Sequence, residues 1–377
     1  MDIKRAYKFR FYPTSEQVTI LAQTFGCARF VYNHMLRLRT DAWYERQERI
    51  GYHQTSAMLT KLKQEPEYSW LRDVASVPVQ QSLQHLQTSF NNFFAKRAKY
   101  PKFHSKHGKQ SATYVASAFK WDGKVITLAK MKEPLAIRFS RAVIGKVTSV
   151  TVSKDKAGRY FVSMLCDDTV SPLPQATGQI GIDLGLTHFA ILSTGEKIAA
   201  PSVSRKHEKK LAKLQQRLAR KQKGSKRRAK ARLKVARLHA KIVDARKDFL
   251  HKLSTRLIRE NQTIAVETLA VKNMQKNHCL AKSISDASWS EFVRQLEYKS
   301  RWYGRTLIGI DKWYPSSKRC SDCGFTMSKL PLSVRQWVCP ECGTIHDRDI
   351  NAAKNILAVG LTVAAQGESV SPVQAYA

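Results

Sequence analysis

The chain of 377 residues carries 65 lysine and arginine residues and 29 aspartate and glutamate residues, which gives a formal net charge of +36 at pH 7. Such a surplus favours polyanionic partners, of which phosphate backbones are the commonest. The hydrophobic fraction of 43% excludes a wholly disordered chain. No apolar run reaches about 18 residues, and the first residues lack the apolar core of a secretory signal. We therefore expect a cytoplasmic protein with no membrane partner.

The first half of the chain predicts a strand, a helical block and then a group of short strands. Residues 3–12 alternate apolar and basic side chains, which is typical of a strand with one solvated face. Residues 15–100 have the apolar spacing of helices, and 101–175 contain short alternating runs separated by turn residues. We predict a β-barrel domain, wedge or OB-like, from residues 1–13 and 101–175, with a helical domain over 14–100 inserted in it.

After a linker at 171–178, residues 203–222 and 226–261 predict two long helices that fold into an antiparallel hairpin. Between Pro201 and Leu250 we count nineteen lysine and arginine residues against three acidic ones. This imbalance is too one-sided for a face solvated by ion pairs, so it favours contact with nucleic acid. The tip residues expected to make such contacts are Lys221, Lys223, Lys226, Arg227 and Arg228.

Four of the seven cysteines form two knuckles, Cys320-x2-Cys323 and Cys339-x2-Cys342, with fifteen residues between them. Two such knuckles build a tetrahedral four-sulfur site that suits Zn2+ and leaves no open position. We expect a structural zinc ion that stabilises a segment too short to fold alone. The odd number of cysteines argues against a disulfide framework and for a reducing compartment.

A few acidic residues differ from the surface acids expected of a basic chain. Asp183 and Glu267 each lie within a short apolar run that predicts a buried strand. A carboxylate there is costly unless it is paired or binds a metal. Asp347 and Asp349 begin the last predicted helix, where one can cap the helix and the other can face the sheet. Together these carboxylates predict a Mg2+ or Mn2+ site for phosphodiester hydrolysis. Alone, Glu267, Asp347 and Asp349 are also explained as caps, and the run around Asp183 also opens phosphate-binding hairpins of the sugar-kinase and actin type.

Six features together match one known family: residues 30–33, 181–186, 266–269, 283–289 and 347–353, and the clustered cysteines. They resemble the TnpB family of transposon-encoded, RNA-guided DNA endonucleases, compact relatives of the type V CRISPR effectors. The resemblance implies an α+β multidomain fold with a RuvC-like, RNase H-type α/β nuclease domain, residues 179–315 and 345–365, interrupted by a four-cysteine zinc ribbon, residues 316–344. The basic hairpin, 203–261, belongs to the nuclease domain, and 366–377 form a flexible tail.

The resemblance assigns catalysis and Mg2+ binding to Asp183, Glu267 and Asp349, and leaves Asp347 as a cap or a group behind the ligands. It implies two-metal-ion cleavage of double-stranded DNA, with Arg348 either near the phosphate or as a structural partner. The implied partners are a guide RNA from the transposon end and target DNA beside a short transposon-associated motif. One monomer per RNA, in a prokaryotic cytoplasm, is the expected assembly.

One segment of the helical domain resembles the part of the family that contacts the adjacent DNA motif. Its candidate residues are Tyr52, Ser56 and Gln80. The segment varies with the motif, and Val77 followed by Pro78 alters its shape. The alternative is an ordinary helix N-terminus capped by Thr55 or Ser56.

Three other functions are compatible with parts of the sequence. A guided or plain DNA-binding repressor with a vestigial site is disfavoured because all three carboxylates are retained. An RNase H-like transposase also uses three carboxylates, but the cysteines between Glu267 and Asp349 favour the nuclease. An actin-like ATPase needs a second glycine-rich phosphate loop, which the sequence lacks.

Overall fold

The computed structural model of the chain describes residues 2–366, and the predicted tail beyond residue 366 lies outside the described residues. The chain forms two compact units, one from Asp2 to Thr169 and one that begins at Val170. Among the helices described between residues 2 and 366, none is long and apolar enough to cross a membrane.

The N-terminal unit combines an antiparallel sheet with a helical block. Its elements are β1 (Asp2–Phe11), α1 (Ser15–Arg46), α2 (Tyr52–Leu62), a 3-10 helix (Pro66–Arg72), α3 (Ser76–Phe94), β2 (Gln110–Val115), β3 (Phe119–Trp121), β4 (Ile126–Leu128), β5 (Ile137–Arg138), β6 (Lys146–Lys154) and β7 (Tyr160–Thr169). Along the chain, the helices therefore interrupt the sheet between β1 and its partners.

The sheet of this unit has the strand order β2-β6-β7-β1-β5, with β3 and β4 as a separate pair. In β1, the side chains of Tyr7, Phe9 and Phe11 are buried and the basic residues between them are exposed, because successive side chains of a strand point to opposite faces. In the described residues, the edge strands β2 and β5 do not pair with each other. The ladder is thus open between β2 and β5, and the wedge or OB-like β-barrel expected from the sequence stays a prediction.

The helical block is fixed by local capping and by its own apolar core. Thr14 caps α1: its hydroxyl accepts a hydrogen bond from Gln17 N, and the Gln17 side chain accepts one from Thr14 N. This reciprocal capping box sets where the helix begins. Apolar side chains of α1 and α3 pack into one cluster, including Val31, Met35 and Leu86.

The C-terminal unit alternates strands with helices and ends in a small cysteine-rich insertion followed by a helix. Its elements are β8 (Gly178–Leu184), β9 (His188–Leu192), β10 (Lys197–Ala199), α4 (Val203–Ala219), α5 (Lys226–Glu260), β11 (Asn261–Glu267), α6 (Val271–Met274), α7 (Ala281–Ala287), α8 (Trp289–Tyr303), β12 (Thr306–Ile310), β13 (Gln336–Val338), β14 (Ile345–Asp347) and α9 (Arg348–Ala365).

The main sheet of this unit is mixed, with the order β10-β9-β8-β11-β12. Strand β9 is antiparallel to β8, whereas β8, β11 and β12 run parallel. Ile182 and Val266 pack with the apolar side chains of α5 and α8, including Leu257 and Phe292. The alternate residues of these strands face the other way, where α9 contacts β8, β11 and β12. Helices therefore cover both faces, as expected for a sheet with buried parallel strands.

Gly181 permits the close approach of α9 to β8. A Cβ atom at this position would lie 2.1 Å from the carbonyl oxygen of Ala353 and 2.8 Å from Leu357 N. Both neighbours are backbone atoms, so they cannot rotate away as a side chain can. The glycine therefore fixes the position of the helix whose first turn carries Asp349.

The two long helices of the basic region form the predicted antiparallel hairpin, since α4 packs along α5. Leu211 and Leu214 of α4 pack with Leu238 and Ile242 of α5. At the tip, Ser225 caps α5 by accepting a hydrogen bond from Arg228 N at 3.1 Å. The prediction of the hairpin and of its break is confirmed.

Candidate metal centres

Asp183 and Glu267 lie side by side at the carboxyl ends of parallel strands. Ile182 of β8 is in register with Val266 of β11, so the two acidic residues each directly follow one member of this pair. By strand alternation, both belong to the face that α9 covers. The Leu184 amide donates a hydrogen bond of 2.8 Å to Glu267 Oε1, which holds that carboxylate against the neighbouring strand.

The electrostatics of this pair are those of two acids with too little compensating charge. Burial raises the pKa of Asp183, the negative charge of Asp349 raises it further, and Arg348 opposes the shift. Burial also raises the pKa of Glu267, with the neighbouring Asp183 as the next cause. A buried carboxylate is disfavoured in its charged form, and a second carboxylate nearby adds to this. The arrangement favours a cation or a shared proton.

Asp347 and Asp349 have the different roles that their spacing predicted. Asp347 caps α9, since its Oδ1 accepts hydrogen bonds of 3.1 Å from the amides of Asp349 and Ile350. Its other oxygen accepts a hydrogen bond of 2.6 Å from Lys197 Nζ. Asp349 instead acts electrostatically on Asp183 and has a weak ion pair, 3.5 Å, with Arg335. The prediction that one aspartate caps the helix is confirmed for Asp347.

The structure thus brings Asp183, Glu267 and Asp349 to one edge of the sheet, but as an open group. In the region from residue 2 to residue 366, the set of potential metal ligands whose donor atoms all lie within 4.8 Å of one another is the group of four cysteines. The three carboxylates are not that close together. The three carboxylates are therefore more widely spaced than the four cysteine sulfur atoms.

The four cysteines Cys320, Cys323, Cys339 and Cys342 converge at one point. The Sγ atoms of Cys320 and Cys342 are 3.7 Å apart, and those of Cys323 and Cys339 are 3.6 Å apart. With Zn–S bonds of about 2.3 Å, a tetrahedral site has sulfur atoms separated by about 3.8 Å. The four sulfur atoms therefore fit a tetrahedral metal ion. Both knuckles turn at glycines with positive φ, 81° at Gly324 and 71° at Gly343.

His346 lies beside the cysteine cluster and was not among the residues predicted from the sequence. Its Nε2 is 3.0 Å from Cys320 Sγ, and its ring lies 4.7 Å from the ring of Trp337. This buried histidine orients a thiolate ligand and lowers its exposure to solvent. The signal available in the sequence was its position, four residues after Cys342 and directly before Asp347.

Arg348 makes structural hydrogen bonds within the protein. Only 7% of the residue is exposed. Its guanidinium donates a hydrogen bond of 2.6 Å to the Pro331 carbonyl and a longer one, 3.4 Å, to Ser317 Oγ. Arg348 therefore fastens the cysteine-rich insertion to the start of α9, as in the structural role that the sequence offered beside a phosphate contact.

At the tip of the basic hairpin, exposure separates the predicted contacts into two groups. Lys221, Lys223, Lys226 and Arg227 are exposed. Arg228 is partly buried, and its NH1 donates hydrogen bonds to the carbonyls of Leu218, 3.0 Å, and Lys221, 2.6 Å. Arg228 therefore closes the tip, and the other four residues are left to meet a polyanion.

In the N-terminal unit, Tyr52 and Ser56 lie in the first turns of α2, and exposed Gln80 lies in α3, which packs against α2. The helix starts earlier than the capping alternative required, because Gly51 is its N-cap and Gln54 Oε1 accepts a hydrogen bond from Gly51 N. Thr55 and Ser56 are therefore inside the helix, and the capping alternative is wrong.

Comparison with known proteins identifies the family. Family profiles match a "Helix-turn-helix domain" of OrfB/IS605 type over residues 1–48, the OrfB/IS605 "Probable transposase" family over 149–278 and a Cas12f1-like TNB domain over 289–356. A Streptomyces pristinaespiralis protein named "Putative RNA-guided DNA endonuclease" is 56% identical over 374 residues, which cover 98% of this chain and 93% of that protein. This chain belongs to the TnpB family. Its residues 2–48 fold as β1 and α1.

Other similar proteins extend this result. InsQ of Escherichia coli K12 is also named a putative RNA-guided DNA endonuclease. It is 35% identical over 384 residues, which cover 97% of this chain and 94% of InsQ. A protein chain from a cryo-EM structure of a Cas12f1–sgRNA–target DNA complex superposes with a TM-score of 0.58 at 13% identity, covering 94% of this chain and 98% of that one. At this identity the similarity establishes a Cas12f-like fold of mixed α/β content.

Proposed function

We propose that this TnpB family member is an RNA-guided DNA endonuclease of a transposon. The observation that carries the proposal is the convergence of Asp183, Glu267 and Asp349 at one open edge of the mixed sheet. The relatives from Streptomyces pristinaespiralis and Escherichia coli, both named as putative RNA-guided DNA endonucleases, support it. The net charge of +36 supports binding of both a guide RNA and double-stranded target DNA.

In this proposal, residues 179–315 and 345–365 form a RuvC-like nuclease domain of RNase H type, and residues 316–344 form a zinc ribbon. The mixed strand order β10-β9-β8-β11-β12 supports it, as does the acidic residue at the end of β8, of β11 and at the start of α9. Residues 1–13 and 101–175 would form the wedge domain, with 14–100 as the inserted recognition domain.

Mg2+ or Mn2+ would be held by Asp183, Glu267 and Asp349, because hard carboxylate oxygens are the ligands that these ions prefer. The donors fit such a cation, since the raised pKa values of Asp183 and Glu267 reflect burial and mutual repulsion that a positive charge relieves. When bound, a divalent ion stabilises charge on phosphate oxygens and lowers the pKa of water.

The residues of the chain supply the geometry for that chemistry. The Leu184 amide orients Glu267, and Asp347 fixes the first turn of α9 so that Asp349 stays at the sheet edge. Because these contacts come from backbone amides, the acidic groups are held in position before substrate arrives, which is the main requirement for electrostatic catalysis.

The four cysteines would hold Zn2+ in a structural role. Four thiolates at tetrahedral spacing leave no position for a water or substrate ligand. Nucleic acid would instead meet the exposed lysines and Arg227 at the tip of the basic hairpin, and Tyr52, Ser56 and Gln80 would read the adjacent DNA motif. The assembly would contain one monomer per guide RNA.

The test begins with the full chain, expressed with the DNA that flanks its gene and purified through high salt. RNA that remains bound is sequenced, and the complex is incubated with Mg2+ and plasmids that match or do not match the guide, next to a randomised motif. One dominant RNA and cleavage of the matching plasmid alone are expected. Heterogeneous RNA, cleavage without a guide match, or strand-transfer products in place of cuts would contradict the proposal.

A further inference from the structure

An exposed tryptophan lies on the loop that leaves the carboxylate edge of the sheet. Trp313 is 80% exposed, which is unusual because an indole carries a large apolar surface. It belongs to residues 311–319, here called the tryptophan loop. The loop follows Ile310, which ends β12 and is in register with Glu267 of β11. Since neighbouring strands are about 4.8 Å apart, the loop begins beside the candidate catalytic edge.

The tryptophan loop is closed by a hydrogen bond at its start and is bonded at its end to α9, the helix that carries Asp349. At its start, Asp311 Oδ1 accepts a hydrogen bond of 2.7 Å from Trp313 N. At its end, the side chains of Asn351 and Asn355 in α9 donate hydrogen bonds of 2.7 and 2.6 Å to the Arg319 carbonyl. Asn351 is two residues after Asp349. The loop is therefore held in place relative to the carboxylates, and β12 and α9 set its position.

The two aromatic residues of the loop have opposite environments. The side chain of Tyr314 packs with Ile310 and Ile356 between the sheet and α9, so it anchors the loop. The ring of Trp313 is exposed, and Lys312 Nζ lies 5.0 Å from its centroid. A tryptophan beside a cation, on a rigid loop, is the arrangement that binds a nucleobase by stacking and its phosphate by charge.

We infer that Trp313 is a positioning residue that stacks on an unpaired base of the DNA strand entering the carboxylate site, while Lys312 contacts the adjoining phosphate. The inference rests on the proposed function and names the form of DNA that the site takes, which is a single strand with at least one base unstacked. A base pair inside a duplex has both faces covered by its neighbours, so a base that stacks on the indole must first lose at least one stacked neighbour.

The experiment compares Trp313→Ala and Trp313→Phe with Leu332→Ala, a matched control because Leu332 is also 80% exposed in the same unit. Single-turnover cleavage of a pre-bound matching target is measured beside target affinity. Trp313→Ala should cleave about 10-fold more slowly with unchanged affinity, as expected from the loss of one stacked base. Trp313→Phe should restore most of the rate, and the control should match the wild type.

A second readout does not depend on cleavage. In Asp183→Ala complexes, 2-aminopurine is placed at successive positions of the displaced strand, and stacking on Trp313 should quench its fluorescence at one position. The quenching should disappear in the double variant with Trp313→Ala. Equal quenching in both would overturn the inference, as would a Trp313→Ala variant that loses guide RNA or cleaves at the wild-type rate. Failure of the wild type to cleave, with quenching intact, would count against the nuclease and not against the stacking.

Discussion

The carboxylate edge and the cysteine cluster are both groups of acidic ligands, yet the chain builds them in different ways. The cysteines come from two short knuckles within 23 residues, and their sulfur atoms all lie within 4.8 Å of one another. The carboxylates come from β8, β11 and α9, far apart in sequence, and stay more open. A compact set of four thiolates suits a structural ion, whereas hard carboxylate oxygens suit the divalent ions that assist phosphodiester cleavage.

The two sites also differ in what holds their side chains together. The knuckles contain their own turns, at Gly324 and Gly343, so the proposed zinc ion would be what keeps the two knuckles together. The carboxylates are held by the packed sheet and α9, which keep like charges close at a cost in stability. Loss of a ligand should therefore destroy the fold in one site and the chemistry in the other.

The largest expected effect is on cleavage by Asp183→Ala. Loss of a carboxylate that holds the divalent ion should reduce the rate by about 10³-fold or more, which corresponds to roughly 4 kcal/mol of transition-state stabilisation. Guide RNA and target affinity should be retained, because binding depends on the basic surfaces. The control is Glu196→Ala, which removes an exposed carboxylate from the loop after β9. Loss of target binding in Asp183→Ala would contradict the assignment.

Cys320→Ser should have the next largest effect, on folding and not on the chemistry of cleavage. Replacing one of four thiolates should release the metal and unfold the ribbon, because structural zinc contributes directly to folding. Zinc content by mass spectrometry and protease sensitivity of residues 316–344 report this. Cys279→Ser, at an exposed cysteine outside the cluster, is the matched control. An unchanged metal content would mean that the four cysteines are not a metal site.

Gly181→Ala tests whether the close approach of α9 holds the open site together. The added Cβ would lie 2.1 Å from the Ala353 carbonyl, so strand and helix must separate. We expect a loss of about 1–3 kcal/mol in stability, typical of overpacking, together with slower cleavage because Asp349 moves with α9. The control is Gly26→Ala in α1, where nothing lies within 4 Å of the added atom and the helix should be slightly more stable. An unchanged cleavage rate in Gly181→Ala would mean that the position of α9 does not affect catalysis.

The sequence indicated the candidate residues of the two sites better than it indicated the tertiary contacts that hold those residues in place. Asp183, Glu267 and the cysteine spacing could be selected from the sequence as candidate ligands, because a carboxylate in an apolar strand and paired knuckles are local signals; the structure places the two carboxylates side by side and the four sulfur atoms together. The helix hairpin was also readable, since its leucine spacing and Gly224 are local signals. The burial of Arg348 and the approach at Gly181 depend on contacts between segments that are distant in sequence, and no local pattern encodes them. The absence of pairing between β2 and β5 depends on such contacts too, because strand spacing alone does not determine whether a sheet closes.

The next expected effect is on the free energy of unfolding, when the charge at Asp183 is removed. The pKa of this group in the folded chain, raised to about 7 by burial and Asp349, exceeds the ordinary value of 3.8. Its contribution to stability is therefore complete below about pH 4 and is lost as the pH rises through 7. Without divalent ions, Asp183→Asn should be more stable than the wild type at pH 8, by up to about 4 kcal/mol, and nearly equal at pH 4.

Urea unfolding at both pH values measures this difference. Asp248→Asn is the control, since Asp248 forms an exposed ion pair with Lys252 on α5. Addition of Mg2+ should stabilise the wild type at pH 8 and leave Asp183→Asn nearly unchanged, because a ligand stabilises only the form that binds it. A wild type that gains stability between pH 4 and pH 8 would mean that the carboxylates are compensated by other groups.

The smallest expected effect concerns the aspartate two residues before Asp349. Asp347 accepts hydrogen bonds from two amides of the first turn of α9 and one from Lys197. Asp347→Ala should cost about 1 kcal/mol, the usual cost of losing a helix cap, and should slow cleavage far less than Asp183→Ala. Asp347→Asn keeps a capping oxygen and should lose less stability. If Asp347→Ala abolished cleavage while leaving the thermal midpoint unchanged, Asp347 would be a ligand, and the carboxylate edge would contain four acidic groups where we assign three.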